Sequence, residues 1–217
     1  MLIYNADCMD LLPKYKNNSI HTVLTDIPYG EVNRATNGLM NYDKGKADEV
    51  TFDLIEFAKQ IFRITSNNGI IFCGKGQFST LFNYFESQKC TVRAIVWEKT
   101  NPPPFNGKYV YLSGVEFAVW FKKPKGTFNA YCKNTVFHFP IGSSKVHPTE
   151  KNHELLKALI LDNTNEGDLV FDPCMGSGST GLVALELGRQ FEGIELDKEW
   201  FDIAAERLNK LKAKLDL

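Results

Sequence analysis

The chain lacks the features that mark secreted, membrane-spanning and zinc-binding proteins. Its five cysteines include no C-x-x-C pair and its four histidines form no H-E-x-x-H motif, so we expect neither a disulfide framework nor a metal site. The first residues form no signal peptide, and no apolar run approaches the roughly 18 residues that span a bilayer. These absences predict a soluble, cytoplasmic protein.

The rest of the composition is that of one globular domain. A chain of 217 residues that is 43% hydrophobic can bury a full core, and no linker-like stretch divides it, so we expect a single domain over residues 1–217. Short β-branched or aromatic segments alternate with segments of helical spacing. The predicted strands are 20–24, 69–74, 92–97, 115–121, 168–171 and 191–195, and the predicted helices are 49–66, 151–163, 178–188 and 198–214. This alternation predicts an α/β fold, a mostly parallel sheet with helices on both faces.

The most informative segment is Asp26-Ile27-Pro28-Tyr29, which directly follows the predicted strand that begins at Ile20. It combines a carboxylate, a turn that proline restricts, and an aromatic ring. Such a set can hold the exocyclic amine of a flat base. The plainer interpretation is a turn at the end of a strand with a packed tyrosine.

A second informative segment, residues 171–180, is rich in glycine and follows another predicted strand. Gly176, Gly178 and Gly181 match G-x-G-x-x-G, and Glu195 follows Gly176 by 19 residues, as in a dinucleotide-binding fold. However, Asp172 comes before these glycines, and a carboxylate is a poor neighbour for a pyrophosphate but a good one for an ammonium or sulfonium. A Rossmann module that only binds a nucleotide stays open as an alternative.

Three separated segments carry a resemblance to a known family. Residues 172–180 are similar to D-P-F-x-G-S-G-T-T, residues 147–151 to H-P-T-[EQ]-K, and residues 5–8 to the N-terminal G-D-[AC] of β-type DNA amino-methyltransferases. The resemblance covers nearly the whole chain and implies the Rossmann-like fold of S-adenosylmethionine-dependent methyltransferases. The chain departs from the family at Ile27, where D-P-P-Y has proline, and at Cys174, where the cofactor loop has phenylalanine; we interpret Cys174 as a packing residue.

The resemblance implies S-adenosylmethionine as the cofactor. In it, Asp7 would accept from the adenine amine of the cofactor and Glu195 would accept from the ribose hydroxyls. The complete set of cofactor-binding residues that it implies is Asp7, Cys8, His147, Thr149, Lys151, Asp172, Pro173, Gly176, Gly178 and Glu195. Of these, His147, Thr149 and Lys151 would line the methionine end.

The same resemblance assigns the catalytic roles to residues 26–29. Asp26 would accept one N–H of the target amine and the Ile27 carbonyl the other, Pro28 would restrict the turn, and Tyr29 would stack on a flipped base. An aspartate at position 26 favours adenine-N6 as the target, because the cytosine-N4 members commonly carry serine there. Cytosine-N4 is the close alternative.

The expected substrate is double-stranded DNA. A short target-recognition region is expected around residues 99–146. Segment 89–133 is rich in basic residues, and Lys122, Lys123 and Lys125 are predicted to face the phosphates, with a solvated lysine-rich loop as the plainer alternative. Residues 101–105 resemble N-P-P-[YF] with one extra proline, and we interpret them as a stiff segment that borders the DNA. The short recognition region suggests a brief site, a homodimer or a partner. The resemblance also implies a bacterial or phage origin and a role in restriction and modification.

Overall fold

The computed structural model describes residues 1–29, 52–104, 107–142 and 151–215. Eight strands form one sheet in the order β1-β8-β7-β2-β3-β5-β4-β6. The strands are β1 (Leu2–Asn5), β2 (Ile20–Asp26), β3 (Thr65–Cys73), β4 (Thr91–Lys99), β5 (Val115–Lys122), β6 (Val136–Phe139), β7 (Leu169–Asp172) and β8 (Gln190–Glu195). The predicted mostly parallel α/β sheet is confirmed.

Strand β5 has a different direction from the other strands. It runs antiparallel between β3 and β4, whereas the other paired strands run parallel. Consequently the start of β5, at Val115 and Glu116, lies at the edge where β2, β3 and β4 end. We call this side of the sheet the carboxyl edge and the opposite side the amino edge.

Helices cover both faces of the sheet. They are α1 (Cys8–Leu11), α2 (Leu54–Ile64), α3 (Lys75–Ser87), α4 (His153–Asn163), α5 (Ser179–Glu186) and α6 (Lys198–Lys214), with a 3₁₀ turn at Leu12–Lys14. Because side chains alternate along a strand, Val23 packs into the core beneath α2 and α3, and Leu24 packs into the core beneath α4, α5 and α6. Each face of the sheet thus has its own apolar core. None of the helices within the described ranges is long and apolar enough to cross a membrane.

Candidate active site

The carboxyl edge collects the acidic residues that the sequence placed at strand ends. Asp26 ends β2, Asp172 ends β7 and Glu195 ends β8, and these three strands are neighbours in the sheet. In open α/β sheets, ligands bind at this edge. The geometry therefore brings the two predicted sites, for the target amine and for the cofactor, to one side of the molecule.

Asp26 makes two strong contacts through its carboxylate. The Tyr29 hydroxyl donates to Oδ1 at 2.7 Å, and the Lys151 ammonium lies 2.5 Å from Oδ2. Lys151 precedes α4 and has 9% of its side chain exposed, whereas Asp26 has 31% exposed. The carboxylate is therefore partly accessible to a substrate, while a mostly buried cation holds one of its oxygens.

A second carboxylate, Glu116 at the start of β5, shares the same lysine. Lys151 lies 2.7 Å from Glu116 Oε2, and Lys99 at the end of β4 lies 2.7 Å from Glu116 Oε1. We call Asp26, Lys99, Glu116 and Lys151 the charge cluster. Its two carboxylates and two ammonium groups balance. The sequence analysis assigned no role to Lys99 or Glu116 individually.

The charge cluster controls which of its groups are ionised. Burial raises the pKa of Asp26, and the nearby Lys151 opposes part of that rise. Burial also disfavours the ionised form of Glu116, but Lys151 and Lys99 outweigh it and lower the pKa of Glu116 to about 2. For Lys151, the two carboxylates overcome burial and raise its pKa. Lys151 is thus cationic and Glu116 anionic at neutral pH.

The turn that carries Tyr29 is fixed by the start of α3. Gln77 donates from Nε2 to the Pro28 carbonyl at 2.8 Å and accepts from the Gly74 N–H at 2.9 Å. A Cβ on Gly74 would lie 3.1 Å from Tyr29 Cβ, so glycine allows the close approach. Ile27 has 1% of its surface exposed and packs in the core. The departure from D-P-P-Y therefore places an apolar side chain in the protein interior.

The predicted cofactor residues Asp7, Gly176 and Glu195 lie near one another. Glu195 accepts from the Gly176 N–H and the Asp197 N–H, both at 2.8 Å, and its carbonyl accepts from the Ala6 N–H at 3.0 Å. Asp7 follows Ala6 and caps α1. Gly176 has φ +51°, and a Cβ there would meet nothing within 4 Å, so its backbone faces open space. This cradle of backbone and carboxylates fits the polar groups of the implied cofactor.

Other residues of the glycine-rich loop serve the packing of the loop itself. A Cβ on Gly178 would lie 3.2 Å from Ala204 Cβ on α6, so this glycine lets the loop approach the helix. Asp172 is 3% exposed, accepts from the Thr25 hydroxyl at 2.7 Å and from the Cys174 N–H at 3.1 Å, and thereby ties β7 to β2. Burial raises the pKa of Asp172 to about 7. Direct contact of Asp172 with a cofactor stays a prediction.

Cys8 and Cys174 lie together beside this loop. Cys8 is 6% exposed, and a hydrogen bond between the two thiols, together with burial, raises the pKa of Cys174. Both side chains belong to the core on the α2 and α3 side. Pro173, between Asp172 and Cys174, is buried too. Packing is thus the observed role of Cys174, whereas contact of Cys8 and Pro173 with a cofactor stays a prediction.

Lys151 has contacts that the sequence analysis did not anticipate, and its place beside the methionine end of the cofactor stays a prediction. The resemblance assigned it to the methionine end of the cofactor site, but its ammonium contacts Asp26 and Glu116 in the charge cluster. The other two residues of that motif, His147 and Thr149, lie outside the described residues. Lys151 thus joins the predicted catalytic carboxylate to Glu116 of β5.

The predicted phosphate-binding lysines lie at the opposite edge of the sheet from Asp26. Because β5 is antiparallel, its last residue, Lys122, pairs with Asn68 of β3 and Thr91 of β4 at the amino edge. Lys122 is separated from Glu116 by six residues of extended strand, roughly 20 Å. Lys123 and Lys125 follow beyond that end. These three lysines are therefore distant from Asp26, and their contact with DNA phosphates stays a prediction.

Comparisons with known proteins agree with this geometry. The sequence pattern of the family described as DNA methylase matches residues 20–206. The chain belongs to this family. It is 29% identical to the type II methyltransferase M2.LlaDCHI of Lactococcus lactis subsp. cremoris over 96% of this chain and 89% of that protein. It is 27% identical to M.HinfI of Haemophilus influenzae over 97% of this chain and 68% of that protein.

Solved structures support the same assignment. The complex of M1.HpyAVI with SAM has a TM-score of 0.73 and 30% identity, and the match covers 95% of this chain and 99% of that one. The cytosine-N4-specific PvuII methyltransferase has a TM-score of 0.74 at 20% identity, covering 98% of this chain and 91% of that one, which shows the fold alone. The enzyme is thus a DNA methyltransferase that uses S-adenosylmethionine, and the predicted fold, activity and cofactor are confirmed.

Proposed function

We propose that the enzyme methylates the N6 amine of an adenine that is flipped out of double-stranded DNA. The observation that carries this proposal is the Asp26 carboxylate, which lies at the carboxyl edge, is partly exposed, and has the Tyr29 ring beside it. An exocyclic amine is a poor nucleophile because its lone pair is delocalised into the ring. A carboxylate that accepts an N–H gains strength as positive charge appears on the nitrogen, so it stabilises the transition state more than the ground state.

The residues of the tetrapeptide 26–29 have different roles. Asp26 accepts one N–H of the amine, and the Ile27 carbonyl accepts the other. The Tyr29 ring stacks on the base, and its hydroxyl donates to Asp26 and orients the carboxylate. Burial and the Asp26 charge raise the pKa of Tyr29, so this hydroxyl stays protonated. S-adenosylmethionine, when bound, supplies the methyl group.

The loop between β4 and β5 gives the site a surface for DNA. Lys99 and Glu116 close its two ends by an ion pair, and Lys99 also donates from its N–H to the Gly114 carbonyl at 2.8 Å. Tyr109 is 78% exposed and Tyr111 is fully exposed. Between positions 99 and 115 the sequence has no acidic residue. Exposed aromatic rings on a loop without negative charge, attached to the charge cluster, suit contact with bases and phosphates.

A matched pair of variants tests this surface. Tyr111→Ala should weaken binding to duplex DNA by about 1–3 kcal/mol if the ring stacks on a base. The control is Tyr131→Ala, because Tyr131 is 95% exposed and lies two residues before Lys133, which pairs with Asp162 near the end of α4. Asp162 follows Lys151 by 11 residues, so it lies at the opposite end of the helix from Lys151. Equal losses in the two variants, measured by fluorescence anisotropy, would remove the loop from the DNA surface.

The biological setting follows from the relatives. The related proteins named above are type II methyltransferases of bacteria, so we infer a role in restriction and modification in the bacterial cytoplasm. The single domain over residues 1–217, the recognition region at 99–146 and a homodimer stay predictions. Size-exclusion chromatography with and without duplex DNA tests the dimer.

Mass spectrometry of nucleosides from methylated DNA tests the proposed target. N6-methyladenine is the expected product. N4-methylcytosine would keep the roles of Asp26 and Tyr29 but change the substrate, since both amines suit the same acceptors. C5-methylcytosine would contradict the mechanism, because a carboxylate that accepts an N–H of an exocyclic amine does not activate a ring carbon.

A further inference from the structure

The charge cluster places a hydrogen-bond acceptor directly beside a donor. The Asp26 carboxylate is the acceptor, and the Lys151 ammonium, 2.5 Å from its Oδ2, is the donor. Two of the three N–H groups of Lys151 point to Asp26 and Glu116 at 2.5 and 2.7 Å, whereas the third has the Tyr29 hydroxyl at the longer distance of 3.3 Å. One donor of Lys151 is therefore weakly engaged at the place where Tyr29 faces the site.

Adenine carries the complementary pair of groups. Its N6 amine is a donor and the adjacent ring atom N1 is an acceptor, two bonds apart. Cytosine shows the same order at N4 and N3, whereas guanine and thymine carry an N–H at the equivalent ring nitrogen. An acceptor next to a donor therefore selects the two bases that have an exocyclic amine beside an unprotonated ring nitrogen.

We propose that Lys151 is a specificity-determining residue that donates to N1 of the target adenine while Asp26 accepts from its N6 amine. This inference deepens the proposed function and rests on it. The ring nitrogen of a flipped base has lost its partner in the duplex, and a donor that replaces that partner recovers the hydrogen bond. A base with an N–H at that position would face the ammonium with a second donor and be rejected.

Glu116 makes this arrangement compatible with methyl transfer. A cation beside the amine opposes the positive charge that develops there, unless an anion neutralises it. Glu116 lies 2.7 Å from Lys151, and Lys99 holds the other oxygen of Glu116 at the same distance. Lys151 therefore keeps an anionic partner while Asp26 interacts with the amine. Glu116 is thus a positioning residue that acts through Lys151.

The competing explanation is that Lys151 only joins the start of α4 to the sheet. In that case its loss would weaken binding of every substrate alike. The two explanations separate when the substrate lacks one acceptor, because only a direct contact makes the enzyme sensitive to that atom. 1-Deazaadenine has a carbon in place of N1 and keeps the N6 amine.

The experiment measures binding, without cofactor, of two duplexes that carry adenine or 1-deazaadenine opposite an abasic site. An abasic site forms no base pair, so the free-energy cost of flipping the base out of the helix is similar for the two duplexes. The wild-type enzyme should bind the adenine duplex about tenfold more tightly. Lys151→Met should reduce that ratio to about one, and Glu116→Gln should reduce it in part, with Glu116→Asp restoring some of it. The control Lys59→Met, in an exposed ion pair on α2, should keep the wild-type ratio.

A wild-type ratio near one, or an unchanged ratio in Lys151→Met, would overturn the proposal. Thermal unfolding establishes that each variant is folded. If Lys151→Met does not fold, Glu116→Gln is the deciding variant, and an unchanged binding ratio in Glu116→Gln would equally overturn the proposal. Failure of the proposed function is a separate result, seen as the absence of N6-methyladenine in the nucleosides from normal DNA.

Discussion

Replacing Asp26 with asparagine keeps the shape of the side chain and removes its charge. The amide still offers one oxygen, but it no longer balances the charge that develops on the substrate amine. Loss of one preorganised electrostatic contact costs about 2.7–4 kcal/mol in the transition state, which corresponds to a rate reduced about 10²–10³-fold. The fold should survive, because Lys151 keeps Glu116 as its partner at 2.7 Å and Asp26 is 31% exposed.

The assay combines methyl transfer from tritiated S-adenosylmethionine with calorimetric binding of the cofactor. Cofactor affinity should stay near that of the wild type, because the contacts that link Gly176 and Glu195 do not involve Asp26. Asp162→Asn is the matched control, since Asp162 forms a 2.6 Å ion pair with Lys133 near the far end of α4. A variant Asp26→Asn with more than about a tenth of the wild-type rate would refute the assigned role.

Three further changes test the site. Tyr29→Phe keeps the stacking ring but removes the 2.7 Å hydrogen bond to Asp26, so kcat should fall by a factor of about 2–13, that is about 0.5–1.5 kcal/mol, and unchanged kcat would limit Tyr29 to stacking. Glu195→Ala should weaken S-adenosylmethionine binding by about 1.5–3 kcal/mol in calorimetry without changing DNA affinity measured in the absence of cofactor; the opposite pattern would mean that the cofactor loop is misassigned. Folded Asp172 holds its proton up to about pH 7, whereas the unfolded chain loses it near pH 4. The free energy of unfolding, measured by urea denaturation, should therefore fall as the pH rises between these values. In Asp172→Asn this part of the fall should be absent.

Local signals were sufficient to predict the strand ends that carry function. Asp26, Asp172 and Glu195 each follow a short apolar segment, so their position at the carboxyl edge could be read from the sequence. Helix α3 was missed although Phe78, Leu81 and Phe85 have helical spacing, and with it Gln77, which fixes the turn before Tyr29. Strand β1 was missed too; it has only four residues, and Leu2 and Tyr4 on one of its faces are exposed.

Nonlocal pairing explains what the sequence could not provide. Residues 115–121 were predicted as a strand, but their antiparallel direction depends on contacts with β3 and β4. That direction moves Lys122 to the amino edge and brings Glu116 to the active site. The register that pairs Glu98 with Val115 then places Lys99 within 2.7 Å of Glu116. A change of strand direction thus separates the predicted DNA-binding lysines from the site and adds two charged residues to it.

The charge cluster meets two opposing requirements on Asp26, which must be ionised in the protein and must still attract the positive charge that develops on the amine. A carboxylate enclosed by protein tends to take up a proton, and burial does raise the pKa of Asp26. Lys151 favours the anion, but a lysine paired with Asp26 alone would also weaken its attraction for the developing positive charge on the amine. Glu116 shares that lysine, and Lys99 in turn keeps Glu116 ionised. Two carboxylates with two lysines therefore favour the anionic form of Asp26 against the effect of burial while leaving part of its charge for the substrate, which a single ion pair would do less well.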